Sequence, residues 1–157
     1  MTIRKATAEK LLPTDDAKPV EVPAVYLHPG HAFTTRDGAS VMTILGSCVA
    51  VCLWDELDSV GGMVHFALPR APHGKNNQPF RYGNTGIAAM IERLEILGAR
   101  RENLRAKVFG GAAVLRTSSV PGGHLGIKNV EAALRALLEI GIPIVAIAYG
   151  AKTRPTV

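Results

Sequence analysis

The chain is short of several things, and each shortage excludes something. Aromatic residues make up 5% of its 157 positions, and no block of five or more Lys and Arg occurs. The net charge of +5 favours acidic partners, but the basic residues are scattered. A nucleic-acid face is therefore not expected. No apolar run approaches the roughly 20 residues of a membrane helix. Residues 1–22 are polar and mixed in charge, unlike a signal peptide, and read as a tail ahead of a single domain over 23–157. Cysteine is scarce as well. Cys48 and Cys52 make no disulfide framework. On one strand their spacing of four puts them on the same face, roughly 13 Å apart, too far for a bridge. A CxxxC pair is also a poor zinc signature. A reducing cytoplasm is the expected setting, because a free thiol survives there.

What is present is a core. The chain is 47% hydrophobic and carries 16 glycines and 10 prolines, enough to punctuate many short elements. Val25 to Leu27 reads as a short strand and Val41 to Leu45 as a β-rich run ending at Gly46. Val49 to Trp54 and Val60 to Leu68 read as a hairpin. His28-Pro29-Gly30 and Arg36-Asp37-Gly38 read as turns, and residues 71–79 as a polar loop. A first helix places Ile87, Met90, Ile91, Leu94 and Leu97 on one face, with Asn84 or Thr85 as its cap and Gly98 just past its end. Ala106 to Phe109 reads as a strand, with Ala112 to Leu115 as a candidate for another and a loop through Pro121-Gly122-Gly123. A second helix starts near Asn129 and closes at Gly141. Ile142 to Ala148 reads as a last strand buried on both faces. Strands outnumber helices and the helices sit late. That predicts an α+β fold with a mixed, largely antiparallel sheet and two main helices.

The chemistry centres on "TILGSCVAVCLWD", residues 43–55. A hairpin loop of Asp55 to Asp58 sets Cys48 directly opposite His65, and a loop of Asp55 to Ser59 moves His65 one step away. Opposed residues have Cβ atoms roughly 4.5–5.5 Å apart, close enough for a thiol–imidazole contact. An imidazole can take the thiol's proton, so a reactive Cys48 is expected to be alkylated below the usual cysteine range. Gly46 and Ser47 are small enough to admit a substrate, and turn amides there can face an oxyanion. Thr43, Ser47 or a backbone carbonyl can accept the second N–H of His65. Against this stands the plainer reading, in which a cysteine in an apolar run is filler and a strand histidine is structural. Cys52, between Val51 and Leu53, fits the filler reading. His28 and His31 form an HxxH with no third ligand nearby, so a turn is preferred to a metal site. Gly110-Gly111 has no GK[ST] after it, so it reads as a tight turn rather than a phosphate cradle.

The segments "VYLHPG", "TILGSCVAVCLWD", "GGMVHFALP", "RYGNTGIAAMIERL", "AKVFGGA" and "LGIKNV" resemble the CheD family of chemoreceptor glutamine deamidases in order and spacing. The resemblance implies a fold similar to the catalytic domains of deamidating toxins. It also implies hydrolysis of receptor glutamine amides to glutamates without a cofactor. Cys48 becomes the nucleophile and His65 the base. The supporting Thr stands six positions before the Cys in some members, where this chain has Met42, and the nearest candidate is Thr43. Val64 replaces an Asn that often precedes the family's His, at a position that should point away from His65. The implied partners are chemoreceptor cytoplasmic domains and, for some members, a CheC-type phosphatase. Two other classes stay open: a binding module without turnover, and a cysteine hydrolase or transglutaminase-like enzyme with another substrate.

Overall fold

The computed structural model describes residues 21–74, 76–112 and 124–149. The tail over 1–22, the candidate strand at Ala112 to Leu115 and the loop at Pro121-Gly122-Gly123 lie wholly or mostly outside these residues. Among the described residues, seven strands and two α-helices occur in the order β1 (Ala24–Tyr26), β2 (His31–Thr35), β3 (Ser40–Met42), β4 (Val49–Asp55), β5 (Gly61–Phe66), α1 (Gly83–Ile96), β6 (Leu104–Gly110), α2 (Leu125–Ile140) and β7 (Ile144–Tyr149). Five strands form one sheet in the order β2-β5-β4-β6-β7, and β1 pairs with β3 in a separate parallel pair. Only β6 and β7 run parallel within the large sheet, so it is mixed and largely antiparallel, as expected.

Alternation along the central strands separates two faces. Val49, Val51 and Leu53 of β4 and Val64 and Phe66 of β5 face the helices. There they meet the stripe of α1, with Ile87, Met90, Ile91 and Leu94 all buried. Burying one such side chain is worth about 1.5–3 kcal/mol, so this interface holds the sheet and helices in one layered unit. Ala50, His65 and Met63 take the opposite face.

Several local expectations are corrected. The cap of α1 is Tyr82, not Asn84 or Thr85. Asn84 Oδ1 instead accepts the Ala71 N–H at 2.9 Å, and the Thr85 hydroxyl donates to the Pro79 carbonyl at 2.6 Å. Gly98 does close α1. Its φ is +102°, and the N–H groups of Gly98 and Ala99 return to the carbonyls of Glu95 and Leu94 in a Schellman motif. Helix α2 begins at Leu125, a turn before Asn129. Strand β2 lies between two turns read from sequence and was not expected, because His31–Thr35 is short and only half-buried. Among the described residues strand β7 is an edge strand, not a buried one: Val145, Ile147 and Tyr149 are 53%, 43% and 60% exposed. Apolar composition alone does not distinguish a central strand from an edge.

Candidate active site

The hairpin register is the first determinant of the site. Trp54 pairs with Gly61 and Ala50 with His65. This is one step beyond the register of an Asp55 to Ser59 loop and two beyond that of an Asp55 to Asp58 loop. The reason is Asp55. It stays in the ladder, its N–H donating to the Val60 carbonyl at 2.8 Å, so the loop is Glu56 to Ser59. Its Oδ1 accepts the N–H groups of Leu57 and Asp58 at 2.9 and 3.0 Å, which shapes the turn. Continuing the ladder past Val49–Phe66 sets Cys48 opposite Ala67. Cys48 is therefore a diagonal neighbour of His65, two steps away on the same face, with Cβ atoms roughly 7 Å apart by ladder geometry.

His65 is 1% exposed, beneath the segment that joins β3 to β4. Its Nδ1 lies 2.8 Å from Thr43 Oγ1. The Thr43 hydroxyl donates its one proton to the Leu27 carbonyl at 2.6 Å. Thr43 Oγ1 can then only accept, so Nδ1 carries the imidazole proton. Nε2 is left bare, buried and without a hydrogen-bond partner. Met42, the alternative position for a supporting group, is exposed. Burial pushes the His65 pKa down, and the nearby His28 and His31 add to this, against the Leu27 carbonyl. Val64 faces the helices and not His65.

Cys48 is a half-buried free thiol that makes no hydrogen bond to Nε2. Burial pushes its pKa up, opposed by its own N–H. Both directions, and the missing hydrogen bond, run against the expected acidic thiol. Catalytic hydrogen bonds often tighten only when substrate is bound. Cys52 lies farther along β4, and burial pushes its thiol up to about 11.

The backbone before β4 is held closely. Cys48 O accepts the Gly111 N–H and Gly46 O accepts the Ala112 N–H, each at 2.9 Å. A side chain at Gly110, where φ is +107°, would meet Cys48 O at 2.3 Å. Gly110-Gly111 is therefore the turn that seats the Cys48 segment. Ser47 O accepts a proton from the Asn129 side chain at 2.9 Å. The sequence pattern marks Asn129 only as a helix start. The signal for more was its place on the buried stripe of α2, with Gly126, Ala133 and Leu137. His28 and His31 have ring centroids 6.3 Å apart, and no cluster of three metal-ligating groups occurs among the described residues.

A free thiol, a bare imidazole nitrogen and a hydroxyl bonded to that imidazole thus lie close together on an α+β scaffold. The family model described as CheD chemotactic sensory transduction matches residues 67–157. A protein of Anaeromyxobacter dehalogenans named "Probable chemoreceptor glutamine deamidase CheD 1" is 45% identical, over 76% of this chain and 68% of its own. Similarly named CheD proteins of Trichlorobacter lovleyi and Rhodospirillum rubrum are 41% and 42% identical, over 81% and 80% of this chain and 78% and 69% of theirs. The chain belongs to the CheD family. Among solved structures, Bacillus licheniformis hypothetical protein YfiH aligns with a TM-score of 0.41 at 16% identity, over 79% of this chain and 48% of its own, too loosely to carry weight.

Proposed function

We propose that this protein is a chemoreceptor glutamine deamidase with Cys48 as nucleophile, His65 as base and Thr43 as the residue that orients His65. The observation that carries the reading is the hydrogen-bond chain from Leu27 O through Thr43 to His65. It leaves a proton-free Nε2 buried near a free thiol. In this mechanism Nε2 takes the Cys48 proton as the thiol attacks the glutamine carboxamide carbon. A tetrahedral intermediate forms, its oxyanion facing backbone N–H groups of the Gly46 to Cys48 segment. The imidazolium then gives its proton to the departing nitrogen. Ammonia leaves and a thioester remains. Water, deprotonated by His65, attacks the thioester, and glutamate and the thiol are released. No cofactor enters. The net charge of +5 would steer the enzyme towards an acidic receptor surface. The same reading places the protein in the cytoplasm, with a CheC-type phosphatase as a further partner.

A second reading, a binding module without turnover, draws on one observation: the Cys48 thiol is raised and not bonded to His65. Intact-mass measurement of a receptor cytoplasmic fragment separates the two. Incubation with the wild type should give the mass shift of amide becoming acid. Cys48→Ser should abolish that shift and Cys52→Ser should keep it. A fragment that binds but is never altered would leave the module reading in place. Equal turnover by the two serine variants would remove Cys48 from the mechanism.

A further inference from the structure

Asn129 is fully buried on α2, yet both of its side-chain hydrogen bonds go to residues just outside the ends of β4 and β5. Its Nδ2 donates one proton to Ser47 O and the other to Ala67 O, each at 2.9 Å. Ser47 immediately precedes Cys48. Ala67 is two residues past His65 and opposite Cys48 in the continued register. One amide therefore ties the segment bearing the thiol to the end of the strand bearing the imidazole, just where the β4–β5 ladder stops. The contact requires α2 to lie hard against the Gly110-Gly111 turn, and it does: a Cβ at Gly126 would sit 2.5 Å from Gly111 O. The Asn129 Oδ1 has no partner, a cost the fold carries to keep both N–H groups on these carbonyls.

We propose that Asn129 is a positioning residue for the Cys48 reaction, setting both the Cys48–His65 separation and the direction of the Cys48 N–H. The second effect follows from peptide planarity. Ser47 C=O and Cys48 N–H belong to one rigid trans unit and point in opposite directions. Holding the carbonyl against α2 turns the N–H away from it, towards the thiol and the oxyanion. Of the three successive carbonyls at Gly46, Ser47 and Cys48, two are held by backbone N–H groups, and Ser47 O is held by this side chain. This inference rests on the deamidase reading.

The test compares Asn129→Ala, Asn129→Ser and a control on the same helix, Leu134→Ala. Steady-state deamidation of a receptor fragment gives kcat and KM. Iodoacetamide labelling of Cys48 against pH, without substrate, gives the state of the thiol. Asn129→Ala should lower kcat about 10–100-fold, the scale of a misplacement near 1 Å, with KM little changed. Its labelling curve should move to higher pH. Asn129→Ser retains one donor and should fall between Ala and wild type on both measures. Leu134→Ala should lower the melting temperature and leave kcat and the curve in place. Wild-type kcat and an unmoved labelling curve in folded Asn129→Ala would overturn the inference. If Asn129→Ala does not fold, an Asn129→Ser variant identical to wild type on both measures would overturn it equally. An inactive wild type whose labelling still shifts on substitution would count against the deamidase reading and support Asn129 as a determinant of thiol geometry.

Discussion

The β4–β5 hairpin buries a polar residue at each end, and the two ends are built on opposite terms. At the turn, Asp55 is 3% exposed and fully engaged. Its Oδ1 accepts two backbone N–H groups of the loop, and its Oδ2 accepts the Arg100 N–H at 2.8 Å, joining the turn to the segment after α1. Burial raises its pKa, but these bonds outweigh it, so the carboxyl sits below its ordinary range. At the open end, His65 and Asn129 are at least as buried, and each keeps one polar atom without a partner. A satisfied buried group holds a fold together. An unsatisfied one costs stability, and under the proposed mechanism His65 Nε2 is kept free for the thiol's proton.

The largest effect expected from breaking this contrast is on turnover. His65→Ala should lower kcat/KM by about 10²–10⁴-fold, the usual contribution of a positioned base, while most of the protein stays folded. Asp55→Ala should do the reverse. Leaving buried N–H groups unpaired should cost roughly 2–4 kcal/mol in urea unfolding, with turnover per folded molecule close to wild type. Equal activity losses in the two variants, after correction for folded fraction, would erase the distinction between the ends.

Thr43→Val should have a smaller effect. It removes the acceptor that keeps the proton on Nδ1. Turnover should fall about 10-fold or more, whereas the lost hydrogen bonds should cost only about 1 kcal/mol of stability. A variant that melts earlier but turns over normally would make Thr43 a structural residue.

The pH dependence of turnover sharpens the site end. The neutral pair and the thiolate–imidazolium pair hold the same number of protons, so the pair titrates as a unit. Activity should rise as His65 loses its extra proton, below the ordinary imidazole value of 6.5. It should fall as Cys48 loses its proton, above the ordinary thiol value of 9.0. A bell shifted towards acid, its lower limb set by a depressed thiol and its upper limb falling below 9.0, would instead indicate a preformed ion pair.

The gentlest test is stability against pH. The unfolded chain protonates a histidine near 6.5, and folded His65 resists until lower pH. Stability from this end is therefore present above 6.5 and lost as pH falls from 6.5 towards the folded value. For Asp55 the contribution is present above 3.8 and lost as pH falls through its depressed folded value. Urea midpoints across the acid range should show two stages, with His65→Ala removing the upper one and Asp55→Ala the lower.

Much of the architecture is written in local pattern. The apolar stripe of α1 needs only periodicity and emerges on the expected inward face, and β4 and β5 emerge as the expected hairpin. So does the closing glycine at 98, where a positive φ favours glycine. That Cys48 and His65 lie on neighbouring strand ends was also legible, because a short hairpin leaves few registers. The register itself was not. It depends on Asp55 using its carboxylate to gather the loop while its backbone stays in the ladder, and no spacing rule reports that choice. The approach of thiol to imidazole depends on the same choice, since two ladder steps separate a direct contact from a diagonal one. Strand β7 looked central by composition, and only the sheet order put it at an edge. Asn129 lies farthest from the reach of sequence. It is 82 residues from Ser47 and 62 from Ala67 along the chain, and only the packing of α2 against the Gly110-Gly111 turn brings its amide to those two carbonyls. Periodicity determines which face of an element is buried; which atoms meet across that burial is decided by the tertiary structure, because it alone closes the distances between segments far apart in the chain.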